Sequence, residues 1–427
     1  MRRYARLLLT VVAALAAATV VVRTQPPALT VVNAAPQGEA NERSDANEIR
    51  VIFSEPMVAL GRIPDHPTPA WIHITPAVTG AYRWSGTTML IFTPDPSTPL
   101  PASTTYTVTV DASATSASGH ALAAPYVFRF TTPTVKLTSM QWYRRDGRFD
   151  RPVVLVLDFN QRVDAAALLA HARLRYHPHD WDVPALPARD RARLQAADPD
   201  GLRRFDDKVA AAARAAARTG VVGLRVAADW DRQQFPPADT RLVIETTTAP
   251  AAGTWVDLTI DAAIAGVEGP AHPPRAQTAT AELAPVFFAT GFTCQRACDP
   301  SGYNGLQFSR EIATSTFAAA LTVTDITDPA HERAVARRTA VPATTLDRSS
   351  SLSLEDAGYE RQPPATTYAY RLDPSLTAPD GQTLGYPWTG IVETWHERAF
   401  TSFGDGHGVW ETTGGPLLPF SARNFRD

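Results

Sequence analysis

A threefold recurrence of short alternating strands constrains the fold of this chain more than any other feature of its sequence. In each copy, a strand with a phenylalanine near its end precedes a proline-flanked strand that combines threonine with an aromatic residue and ends in aspartate. The opening strands are Arg50–Val58, Val154–Val163 and Leu306–Ile312, and the later strands are Leu100–Asp111, Pro250–Asp261 and Pro363–Asp373. Such alternation is typical of half-buried antiparallel strands. Because each set of strands must cover its apolar face with a second sheet, the pattern predicts tandem β-sandwiches of roughly 100 residues.

The composition agrees with several exported β domains and argues against other classes of protein. The 427 residues suit about three domains, and 36 prolines with 24 glycines suit short strands separated by turns. A formal net charge of -3 argues against a dedicated nucleic-acid-binding protein, which would carry a basic surplus. Two cysteines are too few for a disulfide scaffold or for a zinc site built on several thiolates.

The N-terminal residues predict export from the cytoplasm. Arg2, Arg3 and Arg6 precede the apolar run Leu7–Val22, which is shorter than a comfortable membrane span of about 20 residues. This pattern favours a secretory signal. The alternative is an uncleaved anchor, since Arg23 ends the run without a clear cleavage site. In both cases the remainder of the chain is expected to be periplasmic or extracellular, with membrane contact only through residues 7–22.

An insertion in the second copy has a helical pattern. Between Asp198 and Gly220 the sequence is rich in alanine and arginine, and apolar residues recur at helical spacing at Leu202, Phe205, Val209, Ala213 and Ala216. Asp198 or Asp200 can cap its start, and Gly220 can end it. Five basic residues (Arg203, Arg204, Lys208, Arg214 and Arg218) are predicted to form solvated sides of a helix on the sandwich edge, rather than a contact for an acidic partner.

Cys294 and Cys298 are the most distinctive local feature and predict one small disulfide loop in an oxidising compartment. Closing so short a loop would stabilise the fold by about 2 kcal/mol or less. The alternative is a metal site, for which Asp299 is the only adjacent additional ligand. The disulfide is favoured, and no cofactor is expected.

Other candidate chemical groups are interpreted as structural. His177, His179, Asp180 and Asp182 gather imidazoles and carboxylates, but prolines bracket the segment and the sequence places no third ligand, so a loop is favoured over a metal-dependent active site. The glycine-rich run 404–408 lacks the following helix of a phosphate-binding loop. Glu55 and Asp158 lie beside strands without identifiable partners. No catalytic residue is assigned, and the chain is predicted not to be an enzyme.

Particular motifs carry a family resemblance. The segment Phe53–Met57, the strand Leu90–Pro94, and the close from Tyr106–Val110 to Phe130–Pro133 resemble a bacterial immunoglobulin-like domain. From about residue 45 to its end the chain is similar to the N-terminal region of bacterial alpha-2-macroglobulins, which are exported endopeptidase inhibitors. The most specific motifs are Gly385–Trp388, Trp395–Arg398, Ser402–Glu411, Gly414–Phe420 and Ala422–Phe425.

The chain lacks the thioester that forms the covalent trap in many members of this family. A thioester needs a cysteine followed three positions later by glutamine, but Ala297 follows Cys294 and Ser301 follows Cys298 at that spacing. The resemblance therefore implies a non-catalytic scaffold without bait region or thioester, a fragment whose protease partners are engaged by the full-length inhibitor. Envelope proteins are further expected partners. The alternative is a cell-surface carbohydrate- or protein-binding module, to which Trp71, Trp84 and Trp142 would contribute a surface patch.

The predicted fold class is mainly β, with tandem immunoglobulin-like or macroglobulin-type β-sandwiches and a helical insertion in the second. The predicted domains are a signal peptide or anchor at 1–25, a linker at 26–44, a bacterial immunoglobulin-like sandwich at 45–134, a second sandwich at 135–284 with the helical insertion near 190–220, a third sandwich at 285–402, and the truncated start of a further macroglobulin-type domain at 403–427.

Overall fold

The structure is a computed structural model that describes residues 28–294, 297–338, 348–395, 400–402 and 421–423. The predicted signal segment 1–25 and the glycine-rich run 404–408 lie outside these residues, as does most of the predicted domain at 403–427. No helix in the described part of the chain combines the length and apolarity that a membrane crossing needs.

The first sandwich contains eight strands in two four-stranded sheets, ordered β1-β3-β6-β5 and β2-β8-β7-β4. Its strands are β1 (Val31–Ala35), β2 (Gly38–Glu39), β3 (Ile49–Phe53), β4 (Ile72–Thr75), β5 (Gly80–Ser85), β6 (Met89–Pro94), β7 (Thr105–Val110) and β8 (Tyr126–Thr131), with a 3-10 helix at Arg43–Ala46. Alternate residues of β7, from Tyr106 to Val110, are buried. They share one core with Phe53 and Phe92 of the opposite sheet.

The second sandwich carries the helical insertion. Its elements are β9 (Leu137–Arg144), a 3-10 helix (Arg145–Gly147), β10 (Val153–Phe159), α1 (Ala165–His171), β11 (Ala172–His177), α2 (Ala188–Ala197), α3 (Pro199–Ala216), β12 (Val221–Val222), β13 (Leu224–Val226), β14 (Arg241–Thr246), β15 (Trp255–Ile260) and β16 (Gln277–Glu282). The sheets are ordered β13-β14-β10-β9 and β12-β11-β15-β16. The sequence pattern predicted one helix in the insertion. The structure instead has two helices, separated by a break at Asp198.

The third sandwich pairs a three-stranded sheet, β17-β19-β22, with a five-stranded sheet, β18-β24-β23-β20-β21. Its elements are β17 (Ala289–Phe292), β18 (Ala297–Cys298), β19 (Leu306–Ala313), α4 (Thr314–Ala320), β20 (Leu321–Asp325), β21 (Arg333–Ala334), β22 (Arg348–Leu352), β23 (Thr367–Leu372) and β24 (Trp388–Thr394). Beyond it, β25 (Phe400–Ser402) pairs with β26 (Ser421–Arg423).

The three sequence copies have a common structural basis. In each sandwich the opening strand (β3, β10 or β19) lies in one sheet and the threonine-aromatic strand (β7, β15 or β23) lies in the other. Just before each threonine-aromatic strand the chain adopts a positive φ, at Ser103 (51°), Gly253 (72°) and Ala365 (57°). The next threonine closes the turn. For example, Thr254 and Thr366 donate their hydroxyls to the carbonyls of residues three positions earlier.

The described chain divides into two compact units. The first contains residues up to Lys136 with Phe159–Asp164 and Ala262–Arg275, and the second contains the rest, including the second and third sandwiches. A continuous apolar core in the second unit joins the third sandwich to helices α2 and α3 of the insertion. The prediction of a mainly β chain of tandem sandwiches with a helical insertion is confirmed.

Candidate functional site

The helical insertion is the most extensively built feature outside the sandwich cores, because α3 packs its apolar face into the core of the third sandwich. Leu202, Phe205 and Ala212 are buried there. The ring of Phe205 meets the ring of Tyr386 edge-on, with centroids 5.0 Å apart. Gly201 allows the close approach, since a Cβ at that position would lie 2.4 Å from Cγ of Pro387. The insertion is therefore a bridge within the second unit rather than a helix lying on a sandwich edge.

Lys208 of α3 is part of this bridge and is not the solvated charge that the sequence suggested. Its ammonium group donates to the backbone carbonyls of Thr383 and Leu384, both at 2.8 Å. It also lies 5.1 Å from the ring centroid of Phe288. Burial lowers the pKa of Lys208 to about 8. Lys208 is one of only two lysines in a chain that otherwise uses arginine, and that rarity was the signal available in the sequence.

The other basic residues predicted for this helical segment lie nearer to solvent. Arg203 pairs with Asp200 at 2.8 Å, and both side chains are mostly exposed. The guanidinium of Arg218 stacks over the ring of Tyr176 at 4.4 Å. Exposed ion pairs of this kind contribute little to stability. For these residues the expectation of a solvated helix face agrees with the contacts.

Asp190 of α2 forms a second contact with the third sandwich. Its side chain is 5% exposed, and Oδ1 accepts a 3.0 Å hydrogen bond from the N–H of Ile391 in β24. Strand β18 pairs with β24 only at Glu393 and Thr394, so this N–H lies on a stretch of strand edge that β18 leaves uncovered. Burial raises the pKa of Asp190 to about 6, against the opposing effects of the Ile391 N–H and Arg189. No pattern in the sequence predicted this role.

A cavity of about 470 Å³ adjoins Asp190. It opens between the start of α2, strand β17 and the uncovered edge of β24. Its wall includes Phe292, Trp388, Asp190 and the sulfur-bearing side chains of Cys294 and Cys298. The cavity thus combines aromatic and disulfide surface with one buried carboxylate.

The buried Asp190 should make the stability of the second unit depend on pH. Because its pKa in the folded protein is raised, the stabilising contribution is present below the unfolded value of about 4 and is lost as the pH rises through about 6. We expect Asp190→Asn, which keeps an oxygen acceptor for Ile391, to stabilise the unit at pH 8 and to have less effect at pH 4. Urea unfolding at both pH values measures this. An equal effect at both would contradict the burial of a charged Asp190.

Cys294 and Cys298 are joined in a disulfide in the structure, with Cα atoms 5.3 Å apart. Cys298 is buried, and its carbonyl accepts a hydrogen bond from the N–H of Trp395. The disulfide therefore ties β18 to the segment after β17, while backbone pairing holds β18 beside β24. Its formation in the protein stays a prediction.

The predicted histidine-carboxylate cluster is not brought together as a site. His177 pairs with Asp257 of the neighbouring strand at 2.7 Å, and the ring of His179 stacks on Trp255 with centroids 4.1 Å apart. Asp180 and Asp182 are exposed. Across the described residues, no group of three or more His, Cys, Asp or Glu side chains is placed to hold a metal ion.

The remaining candidates have structural partners. Glu55 accepts hydrogen bonds from Ser118 at 2.6 Å and pairs with His120 at 3.0 Å, and Asp158 pairs with Arg241 at 2.7 Å. Trp71 and Trp84 are partly buried against the core of the first sandwich. Trp142 is likewise partly buried, in the second unit. None of the three is among the strongly exposed apolar side chains of the described chain.

The first sandwich is similar to a known family of bacterial domains. Residues 23–132 match the family model of the bacterial Ig-like domain. This match covers about a quarter of the chain, so it describes the first domain and not the whole. No curated protein sequence matches the chain significantly.

Solved structures similar to the chain include bacterial alpha-2-macroglobulins. A native Escherichia coli alpha-2-macroglobulin segment spanning domains MG0-NIE-MG1 is 13% identical, with 86% of this chain and 98% of that one covered and a TM-score of 0.21. The native conformation of the E. coli protein is 14% identical (87% and 19% covered, TM-score 0.19), and a mutant of the Salmonella protein is 11% identical (89% and 27% covered, TM-score 0.19). The chain thus spans about a fifth to a quarter of those longer proteins.

Proposed function

We propose that this chain is a non-catalytic scaffold from the N-terminal part of an exported alpha-2-macroglobulin-like endopeptidase inhibitor. The observation that carries the proposal is the bridge formed by α2 and α3, which makes the second and third sandwiches one compact unit. A spacer that positions a trap must transmit orientation between its domains, and a shared apolar core does so better than a flexible linker.

Two further observations support the proposal. The first sandwich belongs to a bacterial module type, and the described candidate residues are used in ion pairs, ring stacking and hydrogen bonds within the fold. The sequence motifs near the C-terminal end resemble those that lead into further macroglobulin domains. In this proposal the chain acts in the periplasm or outside the cell. Its protease partners would be engaged by domains that this chain does not supply.

A protease assay tests the scaffold role. The purified chain is incubated with trypsin, chymotrypsin and elastase, and the cleavage of casein and of a small chromogenic peptide is followed. We expect both rates to stay unchanged, because a steric trap needs a bait region. Selective protection of casein, with the small peptide still cleaved, would show that the chain traps proteases itself and would contradict the proposal.

The reading frame provides an independent test of the family assignment. The DNA that follows the codon of Asp427 is sequenced in the source genome. A frame that continues into macroglobulin domains is the expected result. A stop codon directly after Asp427, with no adjacent gene encoding such domains, would contradict a role in a larger inhibitor.

A further inference from the structure

We propose that the cavity between α2, β17 and β24 is a binding site for a protonated amine or guanidinium group carried on an apolar body. The wall of this cavity carries Asp190, which is almost fully buried, together with the rings of Phe292 and Trp388. This inference concerns a ligand site and does not depend on the proposed scaffold function.

Only one of the two carboxylate oxygens of Asp190 accepts a hydrogen bond from the described residues. Oδ1 accepts the N–H of Ile391, whereas Oδ2 accepts no hydrogen bond from the described residues and is accessible to solvent. Arg189, the basic side chain that lowers the pKa of Asp190, is half exposed and pairs with Glu393 of β24 at 3.7 Å. The carboxylate is largely withdrawn from water and forms no ion pair among the described residues, so a cationic ligand at Oδ2 would offset part of its desolvation cost.

A purely structural role does not account for the charge of Asp190. Its one hydrogen bond caps the uncovered edge of β24, and the neutral amide of asparagine would accept the same N–H equally well. The raised pKa of Asp190 agrees with a carboxylate that lacks a compensating partner. The negative charge is therefore the feature that a ligand would use.

The other walls suit the body of such a ligand. The rings of Phe292 and Trp388 pack edge to face, with centroids 5.6 Å apart. Aromatic faces bind ammonium and guanidinium groups and also cover their apolar stems. A volume of about 470 Å³ falls within the usual range for small-molecule sites. An arylalkyl amine, or the side chain of a lysine or arginine on a partner polypeptide, has this chemistry.

Calorimetric titration of the full chain with phenethylamine and with 2-phenylethanol tests the proposal, since the two probes share a body and differ in charge. We expect phenethylamine to bind at pH 7.5 with a dissociation constant on the order of 0.1–1 mM. We expect Asp190→Asn to weaken amine binding about tenfold or more and to leave 2-phenylethanol unchanged. The matched control is Asp200→Asn, which removes an exposed carboxylate of α3 outside the cavity and should change amine binding less than about threefold.

Further titrations show whether the bound cation is a free amine or a side chain of a polypeptide. A capped peptide with one lysine, compared with its acetyl-lysine form, shows whether a polypeptide side chain is accepted in place of a free amine. Absence of any binding of phenethylamine to the wild-type chain would overturn the proposal. Equal affinity of wild type and Asp190→Asn for phenethylamine would overturn it as well. Correct folding of the variants is checked by their near-UV circular dichroism.

Discussion

Phe205→Ala is expected to destabilise the second compact unit by about 3–5 kcal/mol, the usual cost of removing a buried phenylalanine side chain. Phe205 is 3% exposed and belongs to the apolar core that α3 shares with the third sandwich. Its removal would leave a void beside Phe288 and Tyr386, whose rings it meets edge-on. Since these rings belong to the third sandwich, the variant should lower the stability of both sandwiches of the unit. Denaturant unfolding, with hydrogen exchange followed by peptide, measures the effect.

Arg203→Ala is the matched control for this prediction. Arg203 lies on the same helix, is 69% exposed in its side chain, and pairs only with Asp200. Its removal should change the free energy of unfolding by about 0.5 kcal/mol or less. If Phe205→Ala accelerated exchange in α3 and left β24 unaffected, the helix would not be coupled to the third sandwich. The scaffold proposal would then lose the observation on which it depends.

The strand repeats could be predicted because period-two alternation leaves a direct trace in the sequence. Strand β7 alternates buried and exposed residues as predicted, and its preceding turn recurs in all three copies. The turn after the threonine-aromatic strand also recurs. Gly119 in the first copy and Gly381 in the third both have φ of +86°, a conformation that glycine adopts at little cost.

Strand β10 does not alternate buried and exposed residues, because both of its faces are covered. Its residues from Val153 to Leu157 are all buried. Val154 and Val156 face a second small core with Phe235 and Trp230, which belong to the segment before β14. A strand covered on both faces becomes uniformly apolar, and its sequence then no longer shows which face is inside.

The bridge could not be predicted from the sequence because it depends on contacts far apart along the chain. The helical spacing marked Leu202 and Phe205 as an apolar face, but many surfaces could have covered them. Lys208 and Asp190 appeared as ordinary charged residues of an exposed helix. Their roles depend on Thr383 and Ile391, about 200 residues further along, and local patterns carry no information about such pairs.

The first compact unit should respond to Phe130→Ala with a loss of about 3–5 kcal/mol of its own unfolding free energy. Phe130 lies in β8, is 1% exposed, and stacks on Tyr106 of β7 with ring centroids 5.2 Å apart. Its side chain fills the core that the two sheets of the Ig-like sandwich share. During denaturant titration, peptides from β3, β6, β7 and β8 should therefore exchange at a lower denaturant concentration than in the wild type.

The same variant shows whether the sandwiches have separate interiors. We expect peptides from β19, β23 and β24 to exchange as in the wild type, because their core contains no residue of the first sandwich. Val127→Ala is the control, since Val127 occupies the same strand with half of its side chain exposed and should cost much less. Equal acceleration of exchange in both units after Phe130→Ala would mean that one cooperative core spans the chain. In that case the tandem arrangement inferred from the three repeats would be wrong.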